Sequence, residues 1–293
     1  MKISERVENI GTCVLIGTYA AGSDDWLEQR QSGIGGSEIA SILGLSPYKS
    51  AVTLFYEKLR LLDPPPATMA MRLGNLLEPG IIEAFKQEYP TITVYHENLT
   101  FASLENPRFR ANPDAIIEDQ NGNLSILEIK HTSQYWTEIP LHYKYQVLWY
   151  MYVTGLKNPA TLYAVTGGAV RAFTVEWDKS LMDVVKAAVI AFCGLLDSET
   201  PPTYDGSDST YQTIRELSPG IRDAEVELSC GIELLAAKQI YDAAEKNLQK
   251  YKSIALDEMD GAKVGTVNGL PIVQLQARGE GKPYLTFTKG IEK

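Results

Sequence analysis

The chain has 293 residues, 44% of them hydrophobic, and its 37 acidic against 27 basic residues give a formal net charge of −10. This is the composition of a globular protein with a sizeable core. It excludes a uniformly basic nucleic-acid binder, while a local basic groove or bound cations stay open. No apolar run approaches the roughly 18–20 residues that span a bilayer. Three cysteines without CxxC spacing indicate reduced, buried thiols, so we expect a cytoplasmic protein with no membrane association.

The first part of the chain reads as short helices that lead to a strand. The predicted elements are structure opening at 26–30, helices over 37–44 and 50–60, a loop over 63–68, a helical segment over 69–89 and one strand over 92–101. Glycines enter the first helix, with Ser37 as its N-cap and Gly44 as the residue that ends it. Pro79 follows Glu78 directly, and we expect a kink or a fresh start there because proline removes a helical hydrogen bond.

The second part of the chain follows a hairpin over 110–130. Its predicted elements are a helix with Pro140 at its first position that ends at Gly155, strands over 160–166 and 169–175, helices over 181–196 and 223–259, and short strands around 268–269. The Pro- and Gly-rich segment 200–209 indicates a linker. We therefore expect a first domain over 1–205 and an appendage over 206–293. The predicted fold class is α/β (α+β), a central mixed sheet flanked by helices, followed by a C-terminal helix and β-hairpin.

The hairpin reads RANPDAIIEDQNGNLSILEIK and carries charged residues at its outer ends. Side chains alternate along a strand, so Glu128 and Lys130 share one face while Ile129 points to the other. The position of Asp114 depends on the length of the loop. An even, two-residue turn would move Asp114 out of line with Glu128. An odd, three-residue loop with a left-handed Gly122 would set the two acids opposite each other.

Two opposed carboxylates about 4–5 Å apart would repel by about 4 kcal/mol at an effective dielectric near 20. Mg²⁺ held by Asp114, Glu128 and the carbonyl of Ile129 would relieve this, because hard cations prefer oxygen ligands. It would polarise a phosphodiester and lower the pKa of a bound water, while Lys130 orients that water or neutralises developing charge. The alternative is a solvated hairpin whose charged ends meet only water, but Pro113 and the apolar strand before the ExK favour a site.

Five ordered motifs resemble one nuclease family. PD (113–114) and EIK (128–130) resemble the PD-(D/E)xK core, and QVLWY (146–150) resembles the QxxxY motif of its RecB-like branch. The upstream segments WLEQRQSGIGGSEIASILGLSPYKS and RLGNLLEPGIIEAF narrow the resemblance to YqaJ-type viral recombinases, relatives of phage lambda exonuclease. The resemblance covers residues 22–200 and implies a restriction-endonuclease-like core.

The same resemblance implies an activity and its partners. It implies a Mg²⁺-dependent 5′-to-3′ exonuclease, with Mn²⁺ as a possible substitute, that degrades one strand of linear double-stranded DNA. The 3′ overhang would pass to a single-strand annealing protein during phage or prophage recombination in the bacterial cytoplasm. Ring-shaped trimers are also implied.

Individual site residues follow from the matched motifs. The resemblance implies metal binding by Asp114, Glu128, Glu78 and the Ile129 carbonyl, catalysis by Lys130, and DNA or 5′-phosphate contacts by Arg30, Ser37, Asn112, Gln146 and Tyr150. From the residues alone, Gly35, Gly36 and Ser37 either cradle an anion with their backbone N–H groups or only cap a helix. Gln146 and Tyr150 share a helical face that packing also explains. The three histidines, His96, His131 and His142, show no ligand spacing.

Two other functions stay open. A restriction-type endonuclease or a single-strand DNA nuclease would use the same metal site on another substrate. A catalytically inactive DNA-end-binding module would keep the fold without the chemistry. The presence of Asp114, Glu128 and Lys130 argues against this last alternative.

Overall fold

The computed structural model describes residues 1–20, 22–63, 65–279 and 281–288. The chain forms two compact units, Met1–Pro219 and Gly220–Lys293. The helices in the described part are α1 Ile3–Glu8, α2 Asp24–Gln31, α3 Gly36–Ile42, α4 Ala51–Lys58, α5 Met69–Glu88, α6 Leu141–Thr154, α7 Lys179–Asp197, α8 Asp208–Leu217 and α9 Gly231–Met259. The strands are β1 Cys13–Thr18, β2 Thr93–Tyr95, β3 Leu99–Ser103, β4 Arg110–Ala111, β5 Ala115–Glu118, β6 Leu124–Thr132, β7 Ala160–Thr166, β8 Ala169–Val175, β9 Val264–Val267, β10 Leu270–Gln276 and β11 Tyr284–Phe287. Among the described helices, none has the length and apolar character needed to cross a membrane.

Five strands form the central sheet of the first unit, in the order β2-β5-β6-β7-β8. β6 and β7 run parallel, and the other neighbours are antiparallel, so the sheet is mixed. Helix α6 joins the two parallel strands, because a parallel pair needs a crossover connection. The strands predicted over 160–166 and 169–175 are β7 and β8 with the same bounds.

Helices cover both faces of this sheet. Ile116 and Ile126 belong to the larger core, which also contains the buried face of α6. Leu127 and Ile129 point the other way and pack with Ile82 and its neighbours on α5. The predicted central mixed sheet flanked by helices is therefore confirmed, and strand alternation puts Glu128 on the α6 side.

A smaller antiparallel sheet, β1-β3-β4, completes the first unit. A bridge between Ile34 and Phe109 joins it to the segment that follows α2. The Ile34 N–H donates to the Arg108 carbonyl at 2.7 Å, and the Arg110 N–H donates to the Ile34 carbonyl at 2.9 Å. These bonds hold the segment before α3 alongside β4.

The structure begins earlier than the sequence predicts. The expectation that it opens at 26–30 is wrong, because α1 starts at Ile3 and β1 pairs with β3. Ile3, Val7 and Cys13 are buried in the main core. The polar residues between these positions hide their apolar spacing from a reading of the sequence.

The single strand predicted over 92–101 is wrong, because the chain divides it between two sheets. β2 pairs with β5 in the central sheet, whereas β3 pairs with β1 in the smaller one. Between them Asn98 has φ +50°, a left-handed conformation that asparagine tolerates better than most residues. A period of two residues continues through such a turn, so alternation alone does not reveal it.

Helix α5 is continuous across Pro79, so the predicted fresh start is wrong. A proline inside a helix costs about 3 kcal/mol or more. The next residues of the helix, Ile81, Ile82 and Phe85, are buried against the central sheet. Each such side chain contributes roughly 1.5–3 kcal/mol when buried. The packing of the helix therefore outweighs the cost of the proline.

Other predicted helices lie close to their expected positions. α4, α6 and α7 begin and end within two residues of the predicted bounds, and Gly155 is left-handed at the end of α6. Pro140 precedes the first helical residue of α6 instead of occupying it. Helix α8 follows the boundary expected at 205 but belongs to the first unit, where Thr213 Oγ1 lies 2.7 Å from Thr53 Oγ1 of α4.

The second unit consists of α9 and an antiparallel sheet in the order β11-β10-β9. β9 and β10 meet at a two-residue turn in which Asn268 and Gly269 both have positive φ, so the predicted hairpin is confirmed. The long helix starts at Gly231 and not at 223, and the exposed Val226 gives the preceding segment no packing to hold a helix.

The three cysteines are free thiols, as expected. Cys13 and Cys193 are buried, and burial raises the pKa of both thiols. Cys230 precedes α9 and is exposed, so the prediction of a buried thiol is wrong there.

Candidate active site

The loop of the hairpin decides which side chains of β5 and β6 meet. Ile116 lies opposite Ile126, in the register that an odd loop requires. The Asp119 N–H donates to the Asn123 carbonyl at 3.1 Å, which leaves three residues between them. The last of these, Gly122, has φ +82°. The predicted odd loop with a left-handed glycine is therefore confirmed.

Continued by one residue, this register sets Asp114 opposite Glu128. The Ile129 N–H donates to Asp114 Oδ2 at 2.7 Å, and the Lys130 ammonium donates to Glu128 Oε1. Asp114, Glu128 and Lys130 all line one cleft, together with Glu78 from α5. The hairpin thus brings the three predicted residues of PD and EIK to one place.

Glu128 is the most enclosed acid of the cleft, with a side chain that is 0% exposed. Gln146 Nε2 donates to its Oε1 at 2.6 Å, the same oxygen that accepts from Lys130. The other oxygen, Oε2, is buried and has no hydrogen-bond partner in the described part of the chain. Burial and the neighbouring charge of Asp114 raise the pKa of Glu128 to about 8, against the opposing effect of Lys130. One oxygen of Glu128 is therefore bonded to Lys130 and Gln146, while the other is buried without a partner in the described part of the chain.

Glu78 is a half-buried acid of the same cleft. Burial, and then the charge of Asp114, raise its pKa to about 7, while Lys130 opposes the shift. Its Oε1 lies 3.1 Å from the Nε2 of His96. This contact was not predictable from the sequence, because no motif spacing links positions 78 and 96.

Lys130 is a cation in this setting. Burial works against the charged amine, but the carboxylates of Glu128 and Asp114 raise its pKa above the ordinary value. Its Nζ also lies 5.2 Å from the centre of the Tyr143 ring. A permanently protonated Lys130 can donate hydrogen bonds and balance negative charge, but it cannot accept a proton at neutral pH.

The chemistry of these donors fits a hard divalent cation. Three carboxylates, Asp114, Glu128 and Glu78, face one ammonium group, and the unpartnered Glu128 Oε2 is a buried oxygen donor. Such oxygens are the ligands that Mg²⁺ and Mn²⁺ take. Among the residues that the structure describes, no three His, Cys, Asp or Glu side chains are placed so that together they could hold one metal ion. A cation here would need backbone carbonyl or water oxygens as well.

A second group of predicted residues lines the same cleft around α3. Arg30 donates to Ser37 Oγ at 3.0 Å and lies 4.6 Å from the centre of the Trp26 ring. Ser37 was predicted to be the N-cap of α3, but Gly35 occupies that position, so this prediction is wrong. The Gly35 N–H donates to Glu38 Oε2 at 2.9 Å, so this amide takes part in capping α3, which is one of the two alternatives for this segment.

A buried ion pair that sequence reasoning missed holds this segment in place. Lys58 is 5% exposed and lies 2.8 Å from Glu38 Oε1. Its Nζ also donates to the carbonyls of Arg30 and Gly33, both at 2.6 Å. Burial opposes the charge of Glu38, but Lys58 and Arg30 lower its pKa below the ordinary value. The spacing of Gly35 and Glu38, that of a capping box, was the available signal.

Gln146 and Tyr150 are buried beside the acids. Gln146 Nε2 donates to the Tyr150 hydroxyl at 3.0 Å as well as to Glu128, so this amide is not on the surface. Burial raises the pKa of Tyr150. Trp149, on the same helix, is fully buried, so its ring packs in the main core.

Two more residues of the hairpin stretch line the cleft. Asn112 donates to Thr100 Oγ1 at 2.5 Å. Arg110, which sequence reasoning missed, stands two positions before it on the same stretch. The alternation of Arg110, Asn112 and Asp114 was the signal that could have identified it.

The sequence of this chain is similar to those of known proteins. The profile of the YqaJ-like viral recombinase domain matches residues 25–157. The chain is 30% identical over 230 residues to a Bacillus subtilis (strain 168) protein described as "Uncharacterized protein YqaJ", covering 74% of this chain and 68% of that one.

Among solved structures, the chain is similar to an alkaline exonuclease (LHK-Exo) from Laribacter hongkongensis, with 19% identity, a TM-score of 0.48, and coverage of 67% of this chain and 100% of that one. It is also similar to a phage related exonuclease from Haemophilus somnus 129PT, with 15% identity, a TM-score of 0.44, and coverage of 64% and 96%.

Proposed function

Because this chain belongs to the family of YqaJ-like viral recombinases, we propose that it is a metal-dependent exonuclease that digests one strand of linear double-stranded DNA from its 5′ end. The observation that carries the proposal is the convergence of Asp114, Glu128 and Lys130 in one cleft with Glu78 and Arg30. A restriction-type endonuclease would use the same acids, but it would not need residues that hold a DNA end.

Asp114, Glu128 and the Ile129 carbonyl would hold the metal, with Glu78 completing the site. Bound Mg²⁺, or Mn²⁺ in its place, supplies a Lewis acid for the phosphodiester and a bound water of lowered pKa. The buried Glu128 Oε2 supports this assignment, because it is an oxygen without a hydrogen-bond partner in the described part of the chain. Burial and the charge of Asp114 raise the pKa values of Glu128 and Glu78, and a bound cation would offset both effects.

Lys130 acts as a hydrogen-bond donor. Its pKa is raised, so its ammonium group stays protonated at neutral pH. From its place beside Glu128 it orients the attacking water or balances the charge that develops on the phosphate oxygens. Gln146 donates to the same Glu128 oxygen and keeps that carboxylate in position.

Arg30 and Ser37 bind the terminal 5′-phosphate, with Asn112, Gln146 and Tyr150 as further parts of the DNA-binding wall. A guanidinium can form paired hydrogen bonds to a phosphate. Arg30 stacks on Trp26 and donates to Ser37, so its orientation is set before a ligand arrives. A site of this kind explains why digestion would begin at an end.

The biological role follows from the family. The 3′ single strand left by digestion would pass to a single-strand annealing protein in phage-type recombination within the bacterial cytoplasm. A ring-shaped trimer that encloses the DNA would keep a protein whose chain has a net charge of −10 bound to its substrate without a basic exterior.

The test is digestion of linear duplex labelled at its 5′ or its 3′ end, with Mg²⁺, with Mn²⁺ and with chelator. We expect early release of the 5′ label from the linear duplex and no digestion of sealed circular duplex. Activity should disappear with chelator. Cleavage of sealed circles would favour the endonuclease instead.

Removal of the 5′-phosphate from the substrate examines the role of Arg30. We expect this removal to slow the wild type far more than it slows Arg30→Ala, because the variant has already lost the contact. Equal slowing of both proteins would contradict the role of Arg30.

A further inference from the structure

Arg110 has an unsatisfied charge in the proposed catalytic cleft. It is half-buried on β4, and its side chain lines the cleft with Asn112 and Asp114. Its Nε is buried without a hydrogen-bond partner in the described part of the chain. No salt bridge to a described carboxylate involves this guanidinium, although acids exceed bases by ten in the whole chain.

The other cations of the cleft have protein partners. Lys130 is bound to Glu128, and Arg30 is bound to Ser37 with Glu38 3.7 Å away. Burial lowers the pKa of Arg110, yet an arginine stays charged in proteins. Arg110 is half-buried and has neither a hydrogen-bond partner at its Nε nor a salt bridge to a described carboxylate, so it is the cation of the cleft left to pair with an anionic ligand.

The backbone around Arg110 is fixed on both sides. Its N–H donates to the Ile34 carbonyl at 2.9 Å, and its own carbonyl accepts from Trp149 Nε1 at 3.0 Å. The side chain then crosses Gly33, where an added Cβ would lie 2.5 Å from Arg110 Cγ and 2.8 Å from its Nε. The glycine therefore makes room for the arginine side chain, which lies against position 33.

We propose that Arg110 binds a backbone or terminal phosphate of the DNA strand that enters this cleft. This assignment rests on the proposed nuclease function and adds a phosphate contact on the wall formed by β4. The planar guanidinium matches phosphate geometry and can form two parallel hydrogen bonds to it. Asn112 and Asp114 follow Arg110 along the same wall of the cleft, so one strand of DNA would contact all three residues.

The experiment measures binding of linear duplex in chelator, where no cleavage occurs, over a series of salt concentrations. Arg110→Gln should weaken binding about tenfold to a hundredfold, the effect of losing a charged hydrogen bond. It should also lower the salt slope by about one unit, because one phosphate contact is lost. Arg108→Gln is the matched control: it removes the same charge two residues away, where the guanidinium pairs with Asp197 at 2.7 Å. That variant should bind within about twofold of the wild type.

If Arg110→Gln and Arg108→Gln bind equally and have the same salt slope, the inference is overturned. Digestion by the wild type would still support the nuclease function in that case. A wild type that neither binds nor digests linear duplex would overturn both. If Arg110→Gln does not fold, Arg110→Lys carries the test. It keeps the charge but loses the paired geometry, so binding should weaken several-fold with the salt slope unchanged. Wild-type affinity in this variant would overturn the inference.

Discussion

At the scale of single residues, Gly36 sets how closely α3 approaches α6. A Cβ at this position would lie 2.6 Å from Tyr150 Cε1 and 2.9 Å from the Gln146 carbonyl oxygen. Both contacts are shorter than van der Waals distances, and the second is to backbone. The resemblance of GIGGSE to a family motif thus has a steric basis in this chain, since the segment that carries Ser37 reaches the cleft only because position 36 lacks a side chain.

We predict that Gly36→Ala destabilises the protein by about 1–3 kcal/mol, the usual cost of overpacking. Alanine would favour the helix by up to about 1 kcal/mol, which is too little to compensate. Gly80→Ala in α5 is the control, because a Cβ there has no neighbour within 4 Å. It should stabilise by about 0.5–1 kcal/mol. Urea unfolding of both variants measures this, and shifts of the same sign would contradict the steric explanation.

The placement of residues in the cleft was predictable where a motif or a strand pattern indicated it. The hairpin acids and Lys130 follow from strand alternation and loop parity, which are local properties of the sequence. His96 beside Glu78, and Lys58 beside Glu38, join residues that are 18 and 20 positions apart without a motif between them. Such contacts depend on how helices pack on sheets, and a single sequence does not specify that.

At the scale of elements, the order of strands and helices over residues 140–200 was predictable because strong turn residues separate them, whereas α8 follows in a stretch for which no helix was predicted. The earlier part was less so. Alternation over 92–101 continued across a change of sheet, and Pro79 indicated a break that the packing of α5 overrides. Local patterns lose to tertiary packing where the buried apolar surface is large.

Helix α5 provides a prediction at this scale. Pro79→Ala should restore one helical hydrogen bond and stabilise the protein by about 1–3 kcal/mol. A smaller effect opposes this gain, because alanine gives the unfolded chain more conformational entropy than proline does. The gain should exceed that of Gly80→Ala, its neighbour in the same helix. Thermal and urea unfolding measure both, and a loss of stability in Pro79→Ala would indicate that the helix depends on the proline for its path along the sheet.

At the scale of the whole molecule, three acids lie together in one cleft of a chain that is acidic overall. Glu78 and Glu128 have pKa values of about 7 and 8 in the folded protein, above the ordinary 4.5. Between about pH 4.5 and 8 the folded state therefore binds more protons than the unfolded chain at these two groups. Their contribution to stability falls as the pH rises through that window.

We predict that the metal-free protein loses stability as the pH rises from 5 to 8, and that Glu128→Gln reduces this loss because the amide does not ionise. Added Mg²⁺ should raise the melting temperature more at pH 8 than at pH 5, since it supplies charge where the acids are ionised. Melting curves of both proteins in chelator and in Mg²⁺ measure the effect. The same pH dependence in wild type and variant would show that Glu128 is not its source.

The proposed account depends most on the joint action of the acids and the ammonium of the hairpin. The most direct measurement is digestion of linear duplex by Lys130→Ala and Asp114→Ala in Mg²⁺, with duplex binding measured in parallel. The account predicts that Lys130→Ala binds DNA ends but loses at least about a hundredfold in turnover, the scale of a removed electrostatic donor, and that Asp114→Ala also needs more Mg²⁺. Undiminished digestion by either variant would contradict it.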